Sequence, residues 1–153
     1  MSASKQSDTC VFCQIVNGNV EDGMVAHQDS LTAVFPSLHQ RADNRGHMLV
    51  VPVPHVPSIY VLDEEVGAAL MVTISRVARA VKRAFSADGV AIKQHNDRPG
   101  GQDIFHVHFH VYPCFEGDGF FRGPDRWPAG LVEVPPVERI AQSTLLTDAL
   151  NSL

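Results

Sequence analysis

No stretch of this sequence stays apolar for the ~18 residues that a membrane span needs, so no bilayer-crossing helix is expected. The N-terminal run MSASKQSDT lacks the apolar centre of a secretory signal. Residues 1–9 read as a disordered arm, and a cytoplasmic setting is the expectation. Positive charge is scarce as well. Lys and Arg number 12 against 17 Asp and Glu, a formal net charge of −5. That argues against a long basic face for nucleic acid or an anionic bilayer. It leaves room for one small anionic ligand, because a pocket need not follow the net charge. Cysteine is limited to 3, an odd number, with two of them in Cys10-x-x-Cys13. A disulfide framework is not expected from such a set, which fits a reducing compartment. Internal repeats and low-complexity tracts are absent, and 153 residues suit one domain.

What is present is enough apolar material for a core, 44% of residues. MVAHQDSLTAVF reads as two short strands around the turn residues Asp29 and Ser30. PSLHQRADNRGH is a polar loop. HMLVVPV is a third strand, ended by Pro52 and Pro54. A long helix is expected from Asp63, a suitable N-cap, with Glu64 and Glu65 in the first turn. Its apolar residues Val66, Leu70, Ile74, Val77, Val81 and Phe85 recur at helical spacing. Arg76, Arg79, Lys82 and Arg83 then make a solvated basic face. GVAIKQH is a fourth strand, NDRPGGQD a loop, and IFHVHFHVYP a fifth strand. Residues 115–136 are rich in Gly and Pro and read as irregular, before a short helix in VERIAQSTLLTDAL. Strands joined by short links and few helices give an antiparallel α+β class.

The segment HVHFHV decides the functional reading. Side chains alternate across a strand, so His106, His108 and His110 share one face, roughly 6.5–7 Å apart. Val107, Phe109 and Val111 share the other, which a helix could cover. Three readings follow. The histidines could face solvent on an edge strand. All three could reach one metal ion, which needs strong strand twist. Or they could perform catalysis, since a neutral imidazole is a nucleophile near pH 7 and a protonated one stabilises phosphate oxygens.

HVHFHV resembles the His-x-His-x-His-x-x motif of the histidine triad (HIT) superfamily, in which x is hydrophobic. GGQDIFHVHFHVYP is similar to the Gly-Gln loop that leads into that motif. RGHMLVVPVPHV resembles the family's Gly-His, apolar strand and Pro-x-x-His segment, and CVFCQIVNG resembles its Cys-x-x-Cys-x-Ile opening. The resemblance spans residues 10–115, with the blocks in the family's order. It implies a HIT domain over residues 10–114: a five-stranded antiparallel sheet with one long and one or two short helices, assembled as a homodimer. Residues 115–153 would be a C-terminal extension whose short helix packs on the domain or on the dimer partner.

The implied activity is that of a nucleotide hydrolase or nucleotidyl transferase. Its substrate would be a purine, AMP-type nucleoside phosphoramidate or dinucleoside polyphosphate, attacked at the α-phosphorus. By resemblance His108 is the nucleophile, forming a covalent nucleotidyl-histidine, and His110 contacts the phosphate oxygens. His47 lies near the site. Gln102 and the backbone amides of Gly101, Asp103 and Ile104 would help hold the phosphate. Zinc-binding relatives place their ligands at positions that match Cys10, Cys13, His55 and His106, which implies one structural zinc; without a metal, the cysteines would be free buried thiols. Phe35, Ser37 and Leu38 in FPSL stand where relatives contact the nucleoside.

Four departures bear on this. Relatives often place Asp or Asn where Ser37 stands, to bind the ribose hydroxyls. His95 replaces a neutral amide, with Asn96 beside it as the other source of one. An imidazole donates from both nitrogens only when protonated, so activity is expected to fall on the alkaline side through His95. Asp103 stands where a Ser or Thr is common, and a carboxylate would repel phosphate unless it points away. Cys114, where relatives often have Arg, reads as a structural thiol. Two other functions fit the same residues: a nucleotide-binding signalling module with low turnover, and a zinc-stabilised interaction protein working through residues 115–153. In the latter, Trp127 would be an exposed anchor rather than a cover for the core or dimer edge.

Overall fold

The computed structural model describes residues 9–120 and 130–153. Most of the arm and Trp127 lie outside the described residues. A hairpin opens the main sheet, β1 (His27–Gln28) and β2 (Thr32–Pro36). The Asp29 carboxylate makes the turn by accepting from the Leu31 and Thr32 amides at 2.8 and 2.7 Å. β4 (Met48–Pro52) pairs with β2 on one side and with β6 (Phe109–Cys114) on the other, and β5 (Gly89–Gln94) lies outside β6. The result is a five-stranded antiparallel sheet in the order β1-β2-β4-β6-β5. β4 is central and buried along its whole length, which is why MLVVP reads as an unbroken apolar run.

The two faces of the sheet are covered differently. On one lies α2 (Glu64–Ala84). Asp63 caps it by accepting from Glu65 N and Val66 N. Its stripe of Val66, Leu70, Ile74, Val77 and Val81 packs on Val34, Met48, Val50, Val107 and Val111. On the other face lies α1 (Val11–Val16), where Phe12, Cys13, Ile15 and Val16 meet Ala33, Phe35, Leu49 and Val51. Adjacent residues of β2 and β4 thus serve opposite cores, as the period of two requires.

Four expectations are corrected. The polar loop after β2 contains a strand, β3 (His39–Arg41), and the stretch read as irregular contains β7 (Leu131–Glu133); the two form a second, two-stranded sheet. The last helix, α3 (Pro136–Asn151), has 16 residues and is not short. It packs on the domain, with Leu146, Ala149 and Leu150 in the core shared with α2. Ser143 and Thr147 donate to the carbonyls of Met24 and Ala26 at 2.6 and 2.8 Å. Finally, the sheet ladder of β6 starts at Phe109, so His106 and His108 precede it. The chain there leaves β4 and Val107 N donates instead to Val56 O. The alternation survives this break: Val107, Phe109 and Val111 still face the α2 core. No described helix is long and apolar enough to cross a membrane.

Candidate active site and metal centre

Cys10 and Cys13 flank the first turn of α1, His55 follows β4, and His106 precedes β6. Packing α1 on the sheet brings one ligand atom from each within 4.8 Å of the others. Cys10 Sγ lies 3.5 Å from His106 Nδ1, Cys13 Sγ 3.6 Å from the same nitrogen, and Cys13 Sγ 3.2 Å from His55 Nδ1. His106 is wholly buried, and its Nε2–H donates to the Pro52 carbonyl at 2.8 Å. The lone pair on Nδ1 therefore points at the two sulfurs. Such distances suit thiol–imidazole hydrogen bonds. They equally suit the edges of a tetrahedron around zinc, about 3.5 Å between S and N for ordinary Zn–S and Zn–N bonds. Two thiols, two imidazoles and a fixed tautomer fit a closed structural site.

The other triad histidines face a different space. His108 Nδ1–H donates to the His106 carbonyl at 2.7 Å, so Nε2 carries its lone pair. His47 donates from Nδ1 to His39 O at 3.2 Å, which makes its Nε2 the acceptor for His110 Nδ1–H at 3.0 Å. The carbonyls can only accept, and this sets the tautomer of each neutral ring. Burial pushes His47 down to about 3, and burial with neighbouring His47, His108, His95 and Lys93 pushes His110 down to about 2. His108 is lowered by burial too, against the His106 carbonyl and Asp103, which favour its charged form. The three rings are neutral at pH 7.

The loop between β5 and the triad is held by Gln102. Its side chain donates to Pro57 O and Ile104 O at 2.9 and 3.1 Å and accepts from Asp97 N at 2.9 Å. Asp97 has φ +59°, a conformation uncommon for a residue with a Cβ, and Gln102 fixes it. The loop amides differ from the expected open phosphate cradle. Gly101 N bonds Arg98 O, Gln102 N bonds Asp97 O, and Ile104 N bonds the Asp103 carboxylate. Gly101, at φ +93°, leaves room for the His95 ring: a Cβ there would stand 3.1 Å from His95 Nδ1. His95 donates from Nδ1 to Gly100 O at 2.8 Å and meets the His110 ring edge-on at 5.5 Å, and its Nε2 is buried without a partner. Asn96 turns to Gln94 and to Ile59 N.

A cleft of about 450 Å³ joins these parts, with His47, His108 and His110 in its lining. Phe35, Ser37, Leu38, Asp103 and Ile104 also line it. Gly101, Gln102, His95 and Asn96 are not among its lining residues. Ser37 donates its hydroxyl to His39 O at 2.9 Å. Cys114 lies half-buried at the end of β6, its thiol pushed up by burial and by Asp118.

The model of the HIT domain matches residues 17–117. The chain belongs to the HIT family. It is similar over 93–96% of both chains to two solved HIT structures at 28% identity. These are a Zn-bound histidine triad family protein from Mycobacterium smegmatis, TM-score 0.76, and a hypothetical histidine triad nucleotide-binding protein from Sulfolobus tokodaii, TM-score 0.79. It is also 29% identical to the Arabidopsis thaliana adenylylsulfatase HINT3 over 76% of this chain and 57% of that protein. HIT proteins bind nucleotides, and the superfamily comprises hydrolases and transferases.

Other lining residues of this HIT protein were not legible in the sequence. Phe12 and Ile15, three apart on α1, supply an apolar wall; their spacing was a signal, but a weak one in a helix of 6 residues. Leu131 and Arg139 come from beyond the matched domain. No local pattern marks them, because only the folding of β7 and α3 onto β3 carries them there.

Proposed function

We propose that this chain cleaves or transfers nucleotides at an α-phosphate, acting on purine nucleoside phosphoramidates or dinucleoside polyphosphates. The observation that carries this is the 2.7 Å bond from His108 Nδ1–H to the His106 carbonyl. It leaves Nε2 of a neutral imidazole as the nucleophile. Nε2 forms a bond to phosphorus, the P–N or P–O bond to the leaving group breaks, and the leaving group takes a proton from solvent. Water then attacks phosphorus, the P–Nε2 bond breaks, the water's proton passes to solvent, and a nucleoside monophosphate departs. His47 holds His110 on the phosphate side of the cleft, and His110 donates from Nε2 to the phosphate oxygens when their charge brings a second proton onto its ring. Phe35 and Leu38 bound the nucleoside, with the ribose near Ser37. Asp103 and Ile104 border the phosphate, and Gln102 acts by bracing their loop. Release of AMP from adenosine phosphoramidate, with a trapped nucleotidyl-histidine, tests the proposal. No turnover across a panel of phosphoramidates and dinucleoside polyphosphates would overturn it.

In this reading Cys10, Cys13, His55 and His106 hold a structural zinc. Bound there, the metal supplies a clamp and no chemistry at phosphorus. His106 links the two sites, since its ring belongs to the donor set and its carbonyl sets the tautomer of His108.

His95 is assigned to the leaving-group side. Its Nδ1–H is already engaged by Gly100 O, so Nε2 donates only when a second proton is added. His95→Asn is expected to lower kcat/KM more than Asn96→Ala does, since His95 meets the His110 ring while Asn96 turns to Gln94 and Ile59 N. An unchanged kcat/KM in His95→Asn would make His95 a bystander.

The homodimer is proposed through β5. This strand is one of the two edges of the main sheet among the described residues, and its Ile92 is 48% exposed. An unpaired edge of that kind is commonly covered by a second copy. Light scattering should give twice 16.7 kDa at micromolar concentration; the monomer mass would refute the assignment.

A further inference from the structure

We propose that the cleft takes a nucleotide with a second phosphate on its ribose, recognised by Arg139. This rests on the reading of the cleft as a 5′-nucleotide site with the ribose near Ser37. Arg139 lines the cleft from the N-terminal turn of α3. A cation there opposes the helix dipole, so the helix itself gives no reason for it. Its Nε is buried and has no hydrogen-bond partner. The adjacent acid does not neutralise it: Glu138 is engaged by Arg45 Nε at 3.6 Å and by Gln142 Nε2 at 3.4 Å. Among the described residues no carboxylate pairs with Arg139.

The position along the cleft selects the ribose rather than the leaving group. Gln142 and Gln40 exchange side-chain amide hydrogen bonds at 2.7 and 3.2 Å. That pair ties α3 to β3, Gln40 also donates to the Ser37 carbonyl at 3.0 Å, and Arg139 stands three residues before Gln142 on the same helix. Among the described lining residues the one acid, Asp103, belongs to the loop beside His108 instead. A bare ribose diol is ordinarily recognised by a carboxylate, and a phosphorylated ribose by arginine. Here no carboxylate among the described residues joins Ser37 and Leu38 in the lining except Asp103, and the Ser37 hydroxyl donates to His39 O. The lining offers instead a guanidinium, whose planar fork matches phosphate oxygens. Arg139 lies outside the segment matched to the HIT domain, so this feature belongs to the C-terminal part of this chain.

The test is calorimetric titration of the full chain with 5′-AMP, adenosine 3′,5′-bisphosphate and adenosine 2′,5′-bisphosphate at one ionic strength. The wild type is expected to bind one bisphosphate at least about tenfold tighter than 5′-AMP, the scale of a charge-assisted contact. Arg139→Gln should bring the ratio of those two dissociation constants to near one, and Arg139→Lys should retain part of it. A wild-type ratio near one overturns the proposal without any variant, and so does a ratio that persists in Arg139→Gln. Binding of 5′-AMP without preference overturns this inference alone. Failure of all three ligands to bind overturns the nucleotide reading with it.

Discussion

His108→Ala is expected to lower kcat by at least about a thousandfold, the scale on which removal of a covalent nucleophile acts. Nucleotide affinity should change only a few-fold. The asymmetry has a physical source. Burial keeps His108 neutral at pH 7, so the substitution removes no positive charge from the phosphate site. The proposed phosphate contact from His110 and the apolar walls around the nucleoside stay in place. What disappears is the one nitrogen with a lone pair held in fixed orientation. Some stability goes too, because His108 packs edge-on against Phe12 at a centroid distance of 5.1 Å; thermal unfolding should be recorded beside the kinetics. Single-turnover assays on wild type and variant, with binding measured by calorimetry, check the prediction. A loss in kcat of about tenfold or less would remove His108 from the role of nucleophile.

Metal removal should act on the fold more than on the chemistry. The purified chain is expected to carry about one zinc, the stoichiometry of a closed four-ligand site, and the double variant Cys10→Ser, Cys13→Ser to carry none. Its melting temperature should fall by about 10 °C or more, since structural zinc contributes several kcal/mol directly to folding. The segment that pays the cost is α1. With 6 residues it is too short to be helical by itself. It depends on the apolar contacts of Phe12, Ile15 and Val16 and on the donors at its first turn. Because α1 also walls the cleft, nucleotide affinity should weaken as it detaches, while molecules that remain folded keep most of their turnover. Elemental analysis finding no zinc in protein prepared without chelators would sink the site. An unchanged melting temperature in the double variant would do the same.

Local patterns in the sequence determined a large part of this protein. Period-two alternation assigned Val107, Phe109 and Val111 to one face and the histidines to the other, even where the ladder had ended. Apolar residues at helical spacing, with Asp63 before two glutamates, located α2 and its cap. Such patterns are legible because each residue's facing depends on the backbone repeat of its own segment. The HIT motifs did the same for the site, since the spacing of the triad is itself a strand geometry.

The tertiary structure decided what depends on contacts between distant segments. β3 and β7 have three residues each and no alternation to reveal them, and each exists through pairing with the other. Gln102, a residue marked in the sequence for phosphate, turned its side chain inward, because a loop with Asp97 at positive φ needs a brace. Three histidines in one short run acquired different neighbours only when α1 docked beside His106 and the start of β4 brought His47 to His110. Arg139 entered the cleft because α3 folds back onto β3 through a buried pair of amides, an arrangement that no repeat within either segment encodes.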